Sequence, residues 1–177
     1  MRTIRTDRLV LEPLQEAHAS EMFRVLVDPI IYTFLHERPP FTEDELRARH
    51  RFLEKRRSPD GTNDWFSWVV RDTGGEMFGY VLAMIHARGT ADLTVVLAPR
   101  RWRQGFAREA IGAVMRELAH TQKTATFFAT VSPRNDPAIK LFQAMGYKLA
   151  YRGDFDMPAV DDGDLIFVLE RAPSSRP

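Results

Sequence analysis

Residues 97–110 read LAPRRWRQGFAREA and join the end of an apolar strand pattern to the start of a helical one. The first turn of a helix has unpaired backbone N–H groups and a partial positive charge, which suits a phosphate. Gly105 allows the backbone to approach an anion closely, and Ala107 keeps the first helical turn open. The segment also carries Arg100, Arg101, Arg103 and Arg108. These residues alone fit either a phosphate-binding loop or a solvated basic junction, because neither G-x-G-x-x-G nor a Walker lysine is present.

On both sides of this segment, the spacing of apolar residues predicts a chain of the α+β class. Alternating or β-rich runs predict strands over residues 8–11, 65–71, 78–86, 92–97, 126–131, 147–151 and 165–169. Helical spacing predicts helices over residues 17–27, 42–53, 107–120 and 137–145. Thr42 and Glu45 form a capping-box pattern, Pro137 suits a first helical turn, and Gly146 ends the last helix.

Composition and charge narrow the class of protein. The 25 basic and 24 acidic side chains give a net charge of +1, which argues against nucleic acid as the main partner. The sequence contains no cysteine, so disulfides, zinc–thiolate sites and a cysteine nucleophile are excluded, and no metal site is expected. We find neither a signal-peptide pattern nor an apolar run long enough for a membrane, and therefore expect a cytoplasmic protein. A length of 177 residues predicts one domain over residues 1–172, followed by a frayed tail over 173–177.

Four motifs, in the right order along the chain, resemble those of the GNAT superfamily of acetyltransferases. Residues 102–110, WRQGFAREA, resemble its acetyl-CoA motif Q/R-x-x-G-x-G/A, with Gly105 and Ala107 at the last two defining positions. Trp102 stands where Gln or Arg is usual, and this variant resembles the loop W-G-Q-G-Y-A-T-E-A of the ribosomal-protein N-terminal (Rim-type) branch. Three further segments resemble that branch: residues 6–11 (T-x-R-L-x-L), 92–97 (E-I-G-Y-x-L) and 135–147 (N-x-x-S/A-x-x-L-Y/F-x-x-x-G-F).

The resemblance implies an N-acetyltransferase that moves an acetyl group from acetyl-CoA to a primary amine by direct attack in a ternary complex. It also implies a mixed, mostly antiparallel twisted sheet of about seven strands flanked by about four helices. In this fold the fourth and fifth predicted strands, 92–97 and 126–131, part in a V-shaped split that admits the pantetheine arm of the cofactor. The expected partners are acetyl-CoA and an amine, with a homodimer as a possibility for the branch.

Residue roles follow from the same resemblance. Main-chain groups of Val96 and Leu97 would pair with the pantetheine arm, and the Leu97 N–H would stabilise the oxyanion of the thioester. Asn135 would hydrogen-bond the arm or a water molecule. The implied cofactor-binding residues are Val96, Leu97, Ala98, Arg103, Gln104, Gly105, Phe106, Ala107, Arg108, Asn135, Ala138 and Phe142, and the implied catalytic residues are Asp92, Leu97 and Asn135.

Several of these positions have a second interpretation. By position alone, Asn135 is a helix cap, and Phe142 belongs to the core because it lies at helical spacing with neighbouring apolar residues. Many family members have Tyr as the general acid where this chain has Phe142, so Tyr147, Ser132 or water would have to replace it. The acceptor amine needs a base, for which we favour Asp92, acting through a bridging water because Asp is shorter than the usual Glu. Two other carboxylates, Glu76 and Glu109, are the alternatives.

The resemblance places the acceptor between residues 30–41 and 152–164. The second stretch is rich in Asp and is either an acidic patch that attracts a cationic amine or a solvated loop. The acceptor is a protein or peptide N-terminus in one hypothesis and a small-molecule amine in the other. A non-catalytic acyl-CoA-binding sensor or interaction module is the alternative from a different functional class, and Phe142 at the usual Tyr position favours it.

Overall fold

One mixed sheet organises the computed structural model, which describes residues 1–86, 89–151 and 163–171. Its strands are β1 (Ile4–Arg5), β2 (Leu9–Pro13), β3 (Asp64–Asp72), β4 (Met77–His86), β5 (Thr90–Leu97), β6 (Thr126–Val131), β7 (Lys148–Ala150) and β8 (Leu165–Glu170). The eight strands lie in the order β1-β2-β3-β4-β5-β6-β8-β7. Only β5 and β6 are parallel among these neighbours, which makes the sheet mixed and mostly antiparallel, as predicted.

In the described part of the chain, four α-helices flank the sheet: α1 (Ala19–Leu26), α2 (Glu43–Glu54), α3 (Phe106–Thr121) and α4 (Asp136–Ala144). Short 3-10 turns cover Glu16–His18, Pro29–Phe34 and Pro99–Arg101. The cap predicted for α2 is confirmed, because the Thr42 hydroxyl accepts a hydrogen bond from the Glu45 N–H at 3.1 Å. The Glu45 carboxylate, however, accepts from the Phe41 N–H instead of closing the capping box on Thr42.

The α2 and α3 helices pack on opposite faces of the sheet. The Trp65 ring meets Phe52 of α2 edge-on, with ring centres 5.7 Å apart. Trp68, whose side chain points to the other face, donates from Nε1 to the Arg2 carbonyl at 3.2 Å, and Arg2 in turn binds Glu117 of α3. The sheet is therefore covered by α2 on one face and by α3 on the other.

Two details differ from the sequence-based expectation. The sheet has eight strands and not seven, because Ile4–Arg5 adds a two-residue strand too short to show alternation. The helix predicted over residues 17–27 begins as a 3-10 turn and becomes α-helical only at Ala19. The predicted tail, residues 173–177, lies outside the described residues. Across the described ranges, no helix is long and apolar enough to cross a membrane.

The predicted V-shaped split between β5 and β6 is confirmed by the strand register. The two strands pair only at their beginnings, with Asp92 opposite Phe128 as the last pair. Beyond that pair, β5 continues along β4 as far as Leu97, while β6 continues along β8 as far as Val131. The strands therefore part immediately after Asp92, and the backbone edge of β5 that follows has no strand partner on that side.

A close approach between β4 and β5 fixes the far end of β5. The register between β3 and β4 shifts at Val70/Arg71, so Phe78 is an extra residue in β4. Next to this bulge, a Cβ placed on Gly79 would lie 2.1 Å from the Val96 carbonyl oxygen and 2.9 Å from the Leu97 Cα. Because both contacts involve backbone, only glycine allows this spacing.

We predict that Gly79→Ala is destabilising by about 1–3 kcal/mol, since the added methyl group must push β5 away from β4. Gly112→Ala is the matched control. There the added Cβ meets only the flexible end of Arg116 at 3.5 Å, and alanine favours the helix. Urea unfolding of both variants measures the difference. Equal stability of Gly79→Ala and wild type would contradict the assigned close approach.

Candidate functional site

The predicted phosphate loop lies at the parted end of β5. Gly105 is the N-cap of α3 and has a left-handed backbone with φ of 81°. A Cβ at this position would find only the Arg8 Nη2 within 4 Å, at 3.4 Å, so the space in front of the helix N-terminus is open. Arg103, Gln104 and Arg108 are exposed around it, whereas Phe106 turns inward and is buried. The structure thus brings together the loop residues that the sequence predicted, in a form that suits an anion.

The backbone at the end of β5 is arranged to present one peptide group to the split. The Ala98 N–H donates to the Phe78 carbonyl at 2.7 Å, and the Val96 carbonyl likewise points towards β4. The N–H and C=O groups of successive residues point to opposite sides of a strand. Both the N–H and the carbonyl of Leu97 therefore face the split. Trp102 donates from Nε1 to the Leu97 carbonyl at 2.7 Å, so the carbonyl already has a partner. The Leu97 N–H is then the group that a ligand in the split can bind. The predicted main-chain contact of Val96 with the cofactor is not available through its carbonyl.

Glu109, one of the alternative bases, holds the loop to the N-terminal part of the chain. Its carboxylate accepts hydrogen bonds from the Thr6 hydroxyl at 2.6 Å and the Arg8 Nε at 2.7 Å. Arg8 also donates to the Gln104 carbonyl at 3.0 Å, and its guanidinium lies 4.5 Å from the centre of the Phe106 ring. Burial favours the neutral form of Glu109, but the hydrogen bonds from Thr6 and Arg8 outweigh it and lower its pKa.

Glu76, the other alternative base, is engaged in the same way by Arg100 and Arg101, whose hydrogen bonds lower its pKa. Its carboxylate lies beside the 3-10 turn that begins the loop. Glu76 and Glu109, the two alternatives to Asp92 as the base, therefore both bind arginines, and both hold the loop in place.

Asp92 lies at the point where β5 and β6 part, and it is buried with 6% of its surface exposed. Its Oδ2 is 2.6 Å from Nε2 of His86, and Nδ1 of the same ring is 2.9 Å from Oδ1 of Asn63. His86 and Asn63 are not among the site residues predicted from the sequence. The register contained the signal for His86: it pairs with Thr90, so it lies diagonally across the hairpin from Asp92 on the same face.

The α4 side of the split holds the remaining predicted residues. Asn135 caps α4, because its Oδ1 accepts from the Ala138 N–H at 3.2 Å, and its side-chain nitrogen makes no hydrogen bond within the described part of the chain. Phe142 is buried and packs edge-on against Tyr147, with ring centres 5.1 Å apart. The Tyr147 hydroxyl donates to the Met115 sulfur at 3.4 Å. Burial, reinforced by the charge of Asp92, raises the pKa of Tyr147.

A cavity of about 410 Å³ lies beside α2, in the region predicted for an acceptor. Its lining residues are Leu26, His36, Glu37, Arg38, Pro40, Glu45, Leu46 and Arg49. Arg49 binds Glu37 at 2.8 Å, and Arg38 binds Glu45 at 2.8 Å, so charges of both signs face the cavity. Nearby, burial raises the pKa of Tyr80 to about 12, with Arg49 acting against it.

The second segment predicted to bind the acceptor, residues 152–164, lies within the described ranges only at its last two residues. His36 Nε2 lies 3.1 Å from Asp164 Oδ2, which ties the cavity to the residue before β8. The other acidic residues of that segment, Asp154, Asp156, Asp161 and Asp162, lie outside the described residues.

Comparison with known proteins gives a consistent result. The sequence model of a family described as "Acetyltransferase (GNAT) domain" matches residues 8–148. The protein p20 of Bacillus licheniformis, described as an uncharacterized N-acetyltransferase, is 27% identical over 150 residues, which cover 84% of this chain and 83% of p20.

Solved structures share the fold. Spermidine N-acetyltransferase from Vibrio cholerae, in complex with CoA and spermine, superposes with a TM-score of 0.75 at 17% identity, over 94% of this chain and 97% of that one. A second Vibrio cholerae protein, provisionally described as a ribosomal-protein-serine acetyltransferase, has a TM-score of 0.74 at 16% identity, over 95% and 97%.

We predict that Glu109→Gln is destabilising by about 1–2 kcal/mol at neutral pH, because it removes charge-assisted hydrogen bonds from Thr6 and Arg8. Since folding lowers the pKa of Glu109, the advantage of the wild type is fully present above the ordinary value of 4.5 and is lost as the pH falls through the lower folded value. Unfolding by urea as a function of pH measures it.

The control is Asp44→Asn, because Asp44 occupies the first turn of α2 as Glu109 does in α3 but is 95% exposed. A surface charge of this kind contributes little to stability. A Glu109→Gln protein as stable as the Asp44→Asn protein at every pH would refute the bracing role.

Proposed function

This chain belongs to the GNAT acetyltransferase family, whose model matches most of its length, and we propose that it transfers an acetyl group from acetyl-CoA to a primary amine. Acetyl-CoA is the co-substrate of this family and supplies an acetyl group activated as a thioester. One observation carries the proposal: β5 and β6 part after Asp92, and the open N-terminus of α3 follows at the end of β5. A cleft for an extended arm and a site for its phosphates are thus contiguous.

The residues of the split fit this co-substrate. The Leu97 N–H is directed into the cleft, and the space in front of Gly105 would be narrowed by any side chain there. We assign the phosphates to the backbone between Arg103 and Arg108, where the N-terminal end of α3 favours negative charge. The arm is assigned to the backbone edge of β5 at Leu97, since the Val96 carbonyl and the Ala98 N–H on either side of it face β4. On the other side of the split, the arm is assigned to Asn135, Ala138 and Phe142.

The reaction requires a proton acceptor as well as a binding cleft. An amine is protonated near neutral pH and must lose a proton before its nitrogen can attack the thioester carbon. As the N–C bond forms, the C–S bond breaks and the thiolate leaves with the electron pair. The attacking nitrogen then loses its second proton, which the thiolate takes up to become the thiol of CoA. Asp92 is our candidate for the proton acceptor, because it lies at the point of the split. The Leu97 N–H is the candidate donor to the oxyanion.

We propose that the acceptor amine enters from the cavity beside α2. Tyr80 connects this cavity to the split, because it pairs with Val96 in the sheet and interacts with Arg49 at the cavity wall. The structural neighbours from Vibrio cholerae include a spermidine acetyltransferase and a protein described for ribosomal-protein serine. A search for the acceptor should therefore cover both polyamines and peptide N-termini.

The alternative is a protein that binds acyl-CoA without turnover. The observation in its favour is Phe142, which packs among Tyr147 and Phe167 where many family members have a tyrosine acid. Binding with turnover supports an enzyme, and binding without turnover of any amine supports the alternative.

We predict that acetyl-CoA binds the wild-type chain and that Gly105→Glu weakens this binding about 100-fold or more, through bulk and like charge in front of the α3 N-terminus. Calorimetric titration measures both. Gly61→Glu is the matched control, since Gly61 also has positive φ, 70° against 81°, and open space around it. A folded wild-type chain that does not bind acetyl-CoA would remove both the enzyme and the acyl-CoA sensor.

We predict that Asp92→Asn lowers kcat about 100-fold while the Kd of acetyl-CoA changes little, because the amide cannot take up the proton. Steady-state kinetics with an amine found by screening, together with calorimetry, separates the two effects. Asp44→Asn is again the surface control. If Asp92→Asn retained wild-type kcat across the pH range, Asp92 would not be the base.

A further inference from the structure

A chain of hydrogen bonds runs from an exposed turn to the point of the split. It begins at Asp60 and Thr62, in the turn that precedes β3, and continues through Asn63 and His86 to Asp92. The donor–acceptor distances along it are 2.8, 3.0, 2.9 and 2.6 Å. Neither the family match nor the motifs assign a role to the first four of these residues.

Asp60 fixes the direction of the first hydrogen bond. Its carboxylate accepts from the Ser58 hydroxyl at 2.5 Å and the Thr62 N–H at 3.1 Å, and these bonds lower its pKa to about 2. Asp60 is therefore ionised at neutral pH and can only accept. The Thr62 hydroxyl, 2.8 Å from both carboxylate oxygens, gives its single proton to Asp60.

The hydrogen bond from Thr62 to Asp60 also fixes the orientation of the Asn63 amide. With its proton donated, the Thr62 oxygen can only accept, and the Asn63 Nδ2 donates to it at 3.0 Å. A flipped amide would place two acceptor oxygens against each other without a proton between them. The Asn63 Oδ1 is therefore the atom that faces His86.

The same logic sets the tautomer of His86. Because Oδ1 of Asn63 can only accept, the proton of the ring lies on Nδ1. Nε2 of the ring therefore keeps its lone pair and faces Oδ2 of Asp92 at 2.6 Å, so a proton taken up by Asp92 is held between these two atoms. A ring with its proton on Nδ1 thus offers Asp92 an acceptor on the side of the split, and the Asn63 amide keeps the ring in that orientation.

We propose that Asn63 and His86 are positioning residues that make Asp92 the acceptor of the proton released by the amine. The inference rests on the proposed function, because it deepens the assignment of Asp92 as base. In each turnover one proton moves from the substrate ammonium to the Asp92 carboxylate and is held between Oδ2 and Nε2. It returns to solvent after the products leave, so the unit gains and loses one proton per cycle.

Other titratable groups near the unit do not supply this proton. Tyr147 stays neutral, since burial and the charge of Asp92 raise its pKa. Asp64, next to Asn63 in the chain, is bound by Arg57 Nη1 at 2.9 Å. The proton held between Oδ2 and Nε2 therefore comes from the amine.

Thr62→Val tests the proposal away from the split, because Thr62 is exposed and valine keeps its shape. Without the hydroxyl, the Asn63 amide is free to turn and donate to Nδ1, which moves the ring proton to Nε2. Nitrogen-15 NMR of His86 in the purified chain reports the tautomer directly and needs no substrate. We expect one Nδ1–H tautomer in the wild type and a mixture in Thr62→Val. Thr121→Val, which loses a hydroxyl bonded to the Glu117 carbonyl, is the control.

The kinetic expectation follows from the tautomer. An Nε2–H that donates to Asp92 stabilises its carboxylate, so the midpoint of the rise of kcat/KM with pH falls and kcat drops about 10-fold. The KM for acetyl-CoA should not change. The double variant Thr62→Val with Asn63→Asp should restore both the tautomer and kcat, since a carboxylate at position 63 can only accept from Nδ1.

The outcomes separate this inference from the proposed function. A His86 tautomer that is Nε2–H in the wild type, or that is unchanged by Thr62→Val, overturns the positioning role. So does a loss of kcat in Thr62→Val that is uniform with pH and not restored by Asn63→Asp. If Asp92→Asn is fully active, the base assignment itself falls, whatever the tautomer of His86.

Discussion

The parting of β5 from β6 is the constraint on which the site depends. β5 pairs along its whole length with β4 but with β6 only as far as Asp92, so its far half presents backbone groups without a strand partner on one side. Buried backbone groups need partners. Trp102 satisfies one of them, the Leu97 carbonyl, and a ligand in the split can satisfy the adjacent N–H. The bulge at Phe78 and the close approach at Gly79 hold β5 against β4 while it leaves β6.

Several residues that the motifs pointed to have a structural task that is visible in the fold. Asn135 caps α4, Trp102 anchors the end of β5, and Glu109 ties the α3 N-terminus to Arg8. A structural role of this kind does not exclude a role in binding. A residue that fixes a helix start or a strand end next to a cleft also fixes the shape of that cleft, so its replacement changes folding and binding together.

Local patterns in the sequence predicted most of the fold but only part of the site. Periodicity and caps gave the helices and seven strands, because these signals depend on residues a few positions apart. The pair of His86 and Asp92 needs the register of a hairpin, which periodicity alone does not provide. The contact of Arg8 with Glu109 spans 101 residues, and no local rule connects them. The loop before α3 could be recognised because its residues are contiguous in the sequence. The residues that hold it in place, such as Arg8, lie far from it in the sequence.

The brace between Arg8 and Glu109 also has a consequence for the order of assembly. Arg8 and Glu109 are 101 residues apart, and contacts between such distant parts of a chain slow folding relative to local contacts. During synthesis, β2 leaves the ribosome long before α3 exists, and it must wait for Glu109 before the loop around Gln104 can take its final shape. A nascent chain that ends before α3 therefore lacks both the turn at Gly105 and the carboxylate that braces it.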